Sequence, residues 1–297
     1  MTSLELEAVV GDDHDDQTRQ THSARRSGAS RLVSAVRKPG LLLSAAVWVV
    51  LLLWAVRPGW FTGHDPLATD SQVLFAGPSS QHLFGTDELG RDVYSRVVHG
   101  TSQTLLATFV AVVLGLVCGA AIGATAGFLR GRADSTLMRF VDVLLAIPAL
   151  LLAMTVVTAL GFGTTNIAIA VGIGAVASFA RVTRAEVLRV SGTGYVEIAR
   201  TLGTSRRKTL LRHVWPNAAG PVLALAALEV GQAILAVAAL GYLGYGAPPP
   251  QPEWGLEVAQ GTQYLSIYPW VPLAPGFVTL IAVLATYRIS RAIGGRS

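Results

Sequence analysis

A bundle of membrane-spanning α-helices is the fold class this sequence predicts, and three observations carry the prediction. Hydrophobic residues make up 52% of the 297 positions and charged residues only 14%, with a mean hydropathy of +0.51; that is too apolar for an ordinary water-soluble domain. Long stretches lack any Asp, Glu, Lys or Arg: 41–56, 101–129, 143–180, 230–252 and 258–287. The basic residues, finally, cluster in alternate connecting segments. A hydrocarbon core ~30 Å thick needs roughly 20 apolar helical residues to cross it. A membrane barrel would show short alternating segments instead.

Taken in chain order, residues 1–40 form a tail. Glu5, Glu7 and Asp12-Asp13-His14-Asp15-Asp16 make an acidic head, and Arg19, Arg25, Arg26, Arg31, Arg37 and Lys38 a basic second half. Few large apolar side chains are present to offset the entropy of ordering, so disorder is expected. Six helical spans follow, at about 41–57, 103–128, 137–160, 166–182, 218–243 and 268–288, by the ~20-residue requirement. The run 143–180 is too long for one crossing, and Gly161-Phe162-Gly163-Thr164-Thr165-Asn166 divides it. With the N-terminus inside, 20 of the 23 Lys and Arg residues fall on the cytoplasmic side, and Arg57, Arg91 and Arg96 outside. The positive-inside rule therefore places both termini in the cytoplasm. The chain divides into the tail 1–40, a first span with external loop over 41–102, and a core over 103–297.

Between spans four and five lies an arginine-rich cytoplasmic segment, Tyr195-Val196-Glu197-Ile198-Ala199-Arg200-Thr201-Leu202-Gly203, which continues nine residues later as His213-Val214-Trp215-Pro216-Asn217. It resembles the EAA loop of ABC-importer permeases: Glu197, Ala199, Gly203 and Pro216 fall in register, whereas Ile198, His213 and Trp215 depart. The resemblance implies that Glu197, Ile198, Ala199, Gly203 and Pro216 belong to a contact with a separate ATPase. Local chemistry fits two short helices around a glycine elbow. Gly203 suits a left-handed backbone turn, and Thr204 or Ser205 can cap a second helix ending before Pro216. A helix-turn-helix DNA reader is excluded because flanking spans would pin it to the membrane.

The external loop carries His82-Leu83-Phe84-Gly85-Thr86-Asp87-Glu88-Leu89-Gly90-Arg91-Asp92-Val93-Tyr94-Ser95-Arg96. This is similar to a signature of the dipeptide/oligopeptide/nickel class of those permeases. Within it Gly85, Thr86, Asp87, Gly90, Arg91 and Asp92 form the motif; the glycines permit tight turns, and Asp87, Asp92, Arg91 and Arg96 can pair locally. A third resemblance follows span five, from Ala239 through Pro248-Pro249-Pro250 to Trp254-Gly255. There prolines stop the helix, and Trp254 and Trp270 suit the membrane interface. The last span departs from the class at Ala285-Thr286-Tyr287-Arg288-Ile289.

Inside the membrane, Gly115, Gly119, Gly123 and Gly127 leave one face of span two without side chains, as a close helix contact requires. Glu229 lies near the middle of span five, where an ionised carboxylate costs at least ~2.5–3.5 kcal/mol. It is expected to face a polar cavity and to line the translocation path; related permeases carry an acid nearer Ala236-Val237, two turns on and on the same face. Asp142, a turn from Arg139, reads as a local pair.

No catalytic residues assemble by spacing, and no cofactor or metal site is expected in the chain. Lys38 and Lys208 are the only lysines and neither follows a glycine, so a phosphate-binding P-loop is missing. The six histidines show no His-Glu-x-x-His spacing, and Cys118 is alone. ATP and Mg are therefore expected in a partner. The class resemblance implies a second homologous permease, two ATPase subunits or domains, an extracytoplasmic substrate-binding protein, and peptide cargo. Nickel or another small solute is the alternative within the class. An autonomous secondary transporter or channel is the alternative outside it, though no convincing inverted repeat is present.

Overall fold

The structure, a computed structural model, describes residues 39–294, so the expected tail lies almost wholly outside the described residues. Helix α1 spans Pro39–Val56, α2 Val93–Leu129, α3 Gly131–Ala146, α4 Ala149–Leu160 and α5 Thr164–Ser191. Then come α6 (Gly194–Thr201), α7 (Arg206–Thr209), a wide π-turn (Leu210–Val214), α8 (Trp215–Tyr242), α9 (Trp254–Thr262) and α10 (Trp270–Gly294). Among the described residues the one extended pairing is an isolated bridge between Thr86 and Asp92. The fold is all-helical. Among the described residues, five helices are long and apolar enough to cross a membrane, and the bent pair α3–α4 makes a sixth if counted as one span.

The expected third span is the one that differs most. Instead of a straight helix over 137–160, α3 and α4 meet at a 95° bend. Pro148 explains it. Proline lacks the amide that an unbroken helix needs and drives the preceding residue out of helical geometry; Ile147 is extended, with φ −91° and ψ 129°. Gly161 (φ 97°) and Gly163 (φ 135°) then turn the chain into α5. Span two also begins earlier than expected, because the Asp92 side chain caps it by accepting from Ser95 N.

Packing of α2 on α5 forms the centre of the bundle. A Cβ placed on Gly115 would stand 2.6 Å from Ala175 Cβ, and one on Gly119 would stand 2.5 Å from Phe179 Cβ. The glycine stripe is therefore a backbone-to-helix contact in which larger side chains have no room. Helix α8 lies across this pair through Val222, Ala233 and Val230 against Val112 and Phe179. Helices α1 and α10 close the far side, where Trp48 Nε1 donates to Thr286 Oγ1 at 3.1 Å. Thr286, in the divergent last span, is thus a buried packing residue. Phe109, Leu106 and Phe277 point outward from their helices, as a lipid-facing surface allows. Asp142 does not pair with Arg139; it meets Arg181 of α5 at 3.0 Å. Arg184 grips Asp134 of α3 with two hydrogen bonds of 2.5 and 2.7 Å.

Candidate functional site

At one end of the bundle α5 and α8 are joined by a compact knob. Helix α5 ends at Ser191, and Thr193 turns the chain: its hydroxyl donates to Val190 O at 2.6 Å while its carbonyl accepts from Val196 N and Glu197 N. Val196 seats α6 on Val187, Val190, Val214 and Ala218, so the inner face of the knob belongs to the core. Tyr195 Oη donates to His213 O at 3.1 Å, tying α6 to the π-turn. Gly203 has φ +82° with open space around it. Its requirement is conformational rather than steric, since side chains resist this left-handed region. Thr204 N then bonds back to Ala199 O at 3.1 Å.

The second half of the knob departs from expectation. No separate helix ends before Pro216. Instead α7 passes through the π-turn directly into α8, whose first turn contains Pro216. The helix runs on through Pro216 because the wider π-turn before it, closed by Trp215 N donating to Leu210 O, makes room for the ring and absorbs the missing amide. The outer face of the knob is left open. Glu197 is exposed and Ala199 half-buried, while Ile198 and Leu202 are 62% and 80% exposed. Ile198 and Leu202 stand one helical turn apart and form an apolar tip, a feature that marks contact surfaces.

Glu229 borders a cavity of about 570 Å³ between α2, α4, α5 and α8. Ser178 of α5 lines the same cavity, and Gln232 and Ala236 share the wall. Glu229 and the position two turns on therefore face one space. The remaining lining is mostly alanine and leucine, so these few polar atoms would orient whatever enters.

At the opposite end, 57–92 fold into an elbow over the start of α2. Thr86 is its staple: Thr86 N donates to Ala76 O, Ala76 N to Thr86 Oγ1, and Thr86 Oγ1 to Val73 O. Gly85 (φ +72°) and Gly90 (φ +71°) lie where a Cβ would strike Ala76 O and Asp70 O respectively. Asp87 accepts from Arg91 Nε at 2.6 Å. Arg96 and Asp92, by contrast, do not pair with each other. Arg96, 0% exposed, forms a two-pronged bond to Glu257 of α9 at 2.7 and 2.8 Å, and Asp92 faces His82 at 2.7 Å.

Glu253 and Trp254 join this end to the bundle, and sequence reasoning missed both roles. Glu253 caps α9 by accepting from Gly255 N and Leu256 N. Its burial pushes the carboxyl up to about 7. Trp254 is not interfacial: it is fully buried and donates to Val97 O of α2 at 3.1 Å. Trp270 is half-buried, with its indole N–H on Thr86 O at 3.3 Å. The proline-rich approach to Trp254 was legible as a turn, but what it docks against was not.

Residues 111–296 match the family model described as binding-protein-dependent transport system inner membrane component. A di/tripeptide transport system permease protein of Pseudomonas aeruginosa is 36% identical over 258 residues, covering 85% of each chain. A glutathione transport system permease protein of Pectobacterium atrosepticum is 36% identical over 245 residues, covering 82% of this chain and 79% of its own. Among solved structures, an inward-facing methionine ABC transporter superposes with a TM-score of 0.53 at 21% identity, covering 66% of this chain and 95% of that one. At that identity the superposition speaks to the fold alone.

Proposed function

The chain belongs to the binding-protein-dependent transport inner-membrane components, a family of non-catalytic permease subunits, and on that premise we propose that it forms half of the translocation path of an ATP-driven importer for di- and oligopeptides. A second, related permease supplies the other half, over the core 103–297. Two ATPase subunits or domains hold ATP and Mg and engage the knob from the cytoplasm, where both termini lie. An extracytoplasmic binding protein delivers cargo at the elbow end.

One observation carries this reading. The two helices that end in the knob are the two that bring Ser178 and Glu229 to the cavity. Helix α5 reaches the knob without interruption, and α8 reaches it through the π-turn. Displacing the knob as a rigid body therefore displaces both polar walls, which is how a remote ATPase can open or close a path. In this reading Glu197 offers a charge to the ATPase, Ile198 and Ala199 pack against it, and Gly203 and Pro216 set the knob's shape. Glu229 receives the amino group of a peptide.

Affinity purification in mild detergent tests the assembly: an ATPase and a second permease should accompany the chain. Peptide movement by the purified chain alone, without nucleotide, would overturn the reading. Glu229→Gln should lower uptake of peptides with a free amino group by about 10-fold or more, the loss expected for one charge-assisted hydrogen bond of roughly 1.5–3 kcal/mol. Unchanged uptake would remove Glu229 from the path.

A further inference from the structure

The two aspartates of the elbow are compensated in different ways. Asp87 has an arginine against it, whereas Asp92, 5% exposed, does not. Asp92 Oδ1 accepts from Ser95 N at 2.6 Å. Its Oδ2 lies 2.7 Å from His82 Nδ1 and 4.0 Å from His64 Nδ1. Among the described residues no lysine or arginine stands within 4.0 Å of this carboxylate. Its close partners are imidazoles, which are themselves metal ligands, and buried carboxylates are normally paired or bound to a metal.

We propose that His64, His82 and Asp92 form a binding site for a divalent transition-metal ion of the zinc or nickel type, which clamps the outer loop to the first turn of α2. The ligand atoms of the three side chains all lie within 4.8 Å of one another. Metal–ligand bonds of about 2.0–2.2 Å place tetrahedral ligand atoms roughly 3.4 Å apart. The observed 2.7 and 4.0 Å fall on either side of that value, so a small opening at His82 and a small closing at His64 bring both nitrogens to the required spacing from Asp92 Oδ2. The His64 side chain, 52% exposed, is free to make that adjustment.

The site is held in place by bonds around it. Ser95 fixes two ligands at once: its amide bonds Asp92, and its hydroxyl donates to the His64 carbonyl at 2.6 Å. The backbone of His82 is held by Ser79 N and Gly85 N, both donating to its carbonyl at 2.8 and 2.9 Å. Asp92 Oδ1 is engaged by the helix cap, which leaves Oδ2 as the ligand oxygen. Two imidazoles and one carboxylate suit zinc, nickel or copper(II) better than magnesium or calcium, which prefer all-oxygen sites. Three protein ligands leave a coordination position open on the exposed side beside His64. The inference is independent of cargo and of the ATPase contact. His64 and His82 stand in separate turns of the loop with no motif between them, which is why the sequence shows no such site.

Titration of the tag-free full-length chain in detergent with zinc chloride, and with cobalt(II) as an optical probe, tests the proposal. One saturable zinc ion per chain is expected, together with a visible cobalt band of tetrahedral intensity that zinc abolishes, and a zinc-dependent rise in denaturation temperature. His64→Ala, at an exposed position, should weaken zinc binding at least about 10-fold and remove the thermal shift, because metal stabilises only the state that binds it. His82→Ala should do the same. Absence of saturable binding, or equal affinity in wild type and His64→Ala, overturns the proposal.

Discussion

The elbow and the knob stand at opposite ends of the same helices and treat their polar and apolar groups in opposite ways. At the elbow end, Asp87, Arg91, Arg96 of α2 and Glu257 of α9 are all buried and bonded to one another or to backbone. In the knob, Glu197 reaches into solvent and Ile198 and Leu202 form an uncovered apolar tip. The elbow closes on itself, so its motif is spent on making a rigid end to the bundle. The knob keeps an inner face for the core and leaves its outer face open, as the proposed ATPase contact requires. A motif in one chain can thus be recognisable for two different physical reasons.

The hardest way to break that contrast is at Arg96. Arg96→Ala would leave Glu257 buried without its partner, and removing one member of a buried pair costs about 3–5 kcal/mol. The variant should therefore lose folded yield and denature at a markedly lower temperature. A wild-type melting temperature would show that the elbow is not the rigid end.

Glu253 gives a pH test of the same end. Its pKa is raised from 4.5 to about 7 by burial, so the folded chain binds a proton that the unfolded chain has released over that interval. Stability from this group is fully present below about pH 4.5 and is lost as pH rises through 7. Melting temperature should accordingly fall between pH 5 and 8, and Glu253→Gln should flatten that slope. An unaltered slope in the variant would assign the pH dependence to another group.

The knob calls for smaller changes with larger functional consequences. Gly203→Val forces a branched side chain into φ +82°, at roughly 1–2 kcal/mol of local strain. Membrane insertion and melting should stay near wild type while uptake is lost; normal uptake would mean that the turn tolerates distortion. Smallest in stability is Glu197→Lys, exposed and within about 0.5 kcal/mol of neutral. Its effect should appear only as reduced recovery of the ATPase during purification, and undiminished recovery would take Glu197 out of the contact.

Much of this contrast can be read along the chain because it depends on local spacing. Charge-free runs locate the helices, a four-residue glycine period marks the face of α2 that meets α5, and glycine at 85, 90 and 203 marks the turns with positive φ. Proline was legible as an interruption but not in its consequence. Pro148 bends a span by 95°, whereas Pro216 sits in the first turn of α8 with the helix entering through the π-turn. The difference lies in the π-turn, whose wider spacing accommodates the ring of Pro216 so that the helix continues, whereas the residue before Pro148 leaves helical geometry.

The sequence by itself determined an all-helical membrane protein, the order of its spans, and the two loops that carry its motifs, because hydrophobic length and backbone preference act over a few neighbouring residues. Only the tertiary structure decided which charges meet. Arg96 finds Glu257 at a separation of 161 residues, Trp254 is buried against Val97, Asp142 crosses to Arg181, and His64 and His82 converge on Asp92. Burial makes such partners obligatory, since a lone charge or amide out of water is costly. Which partner is within reach, however, is fixed by how the helices pack rather than by the order of residues.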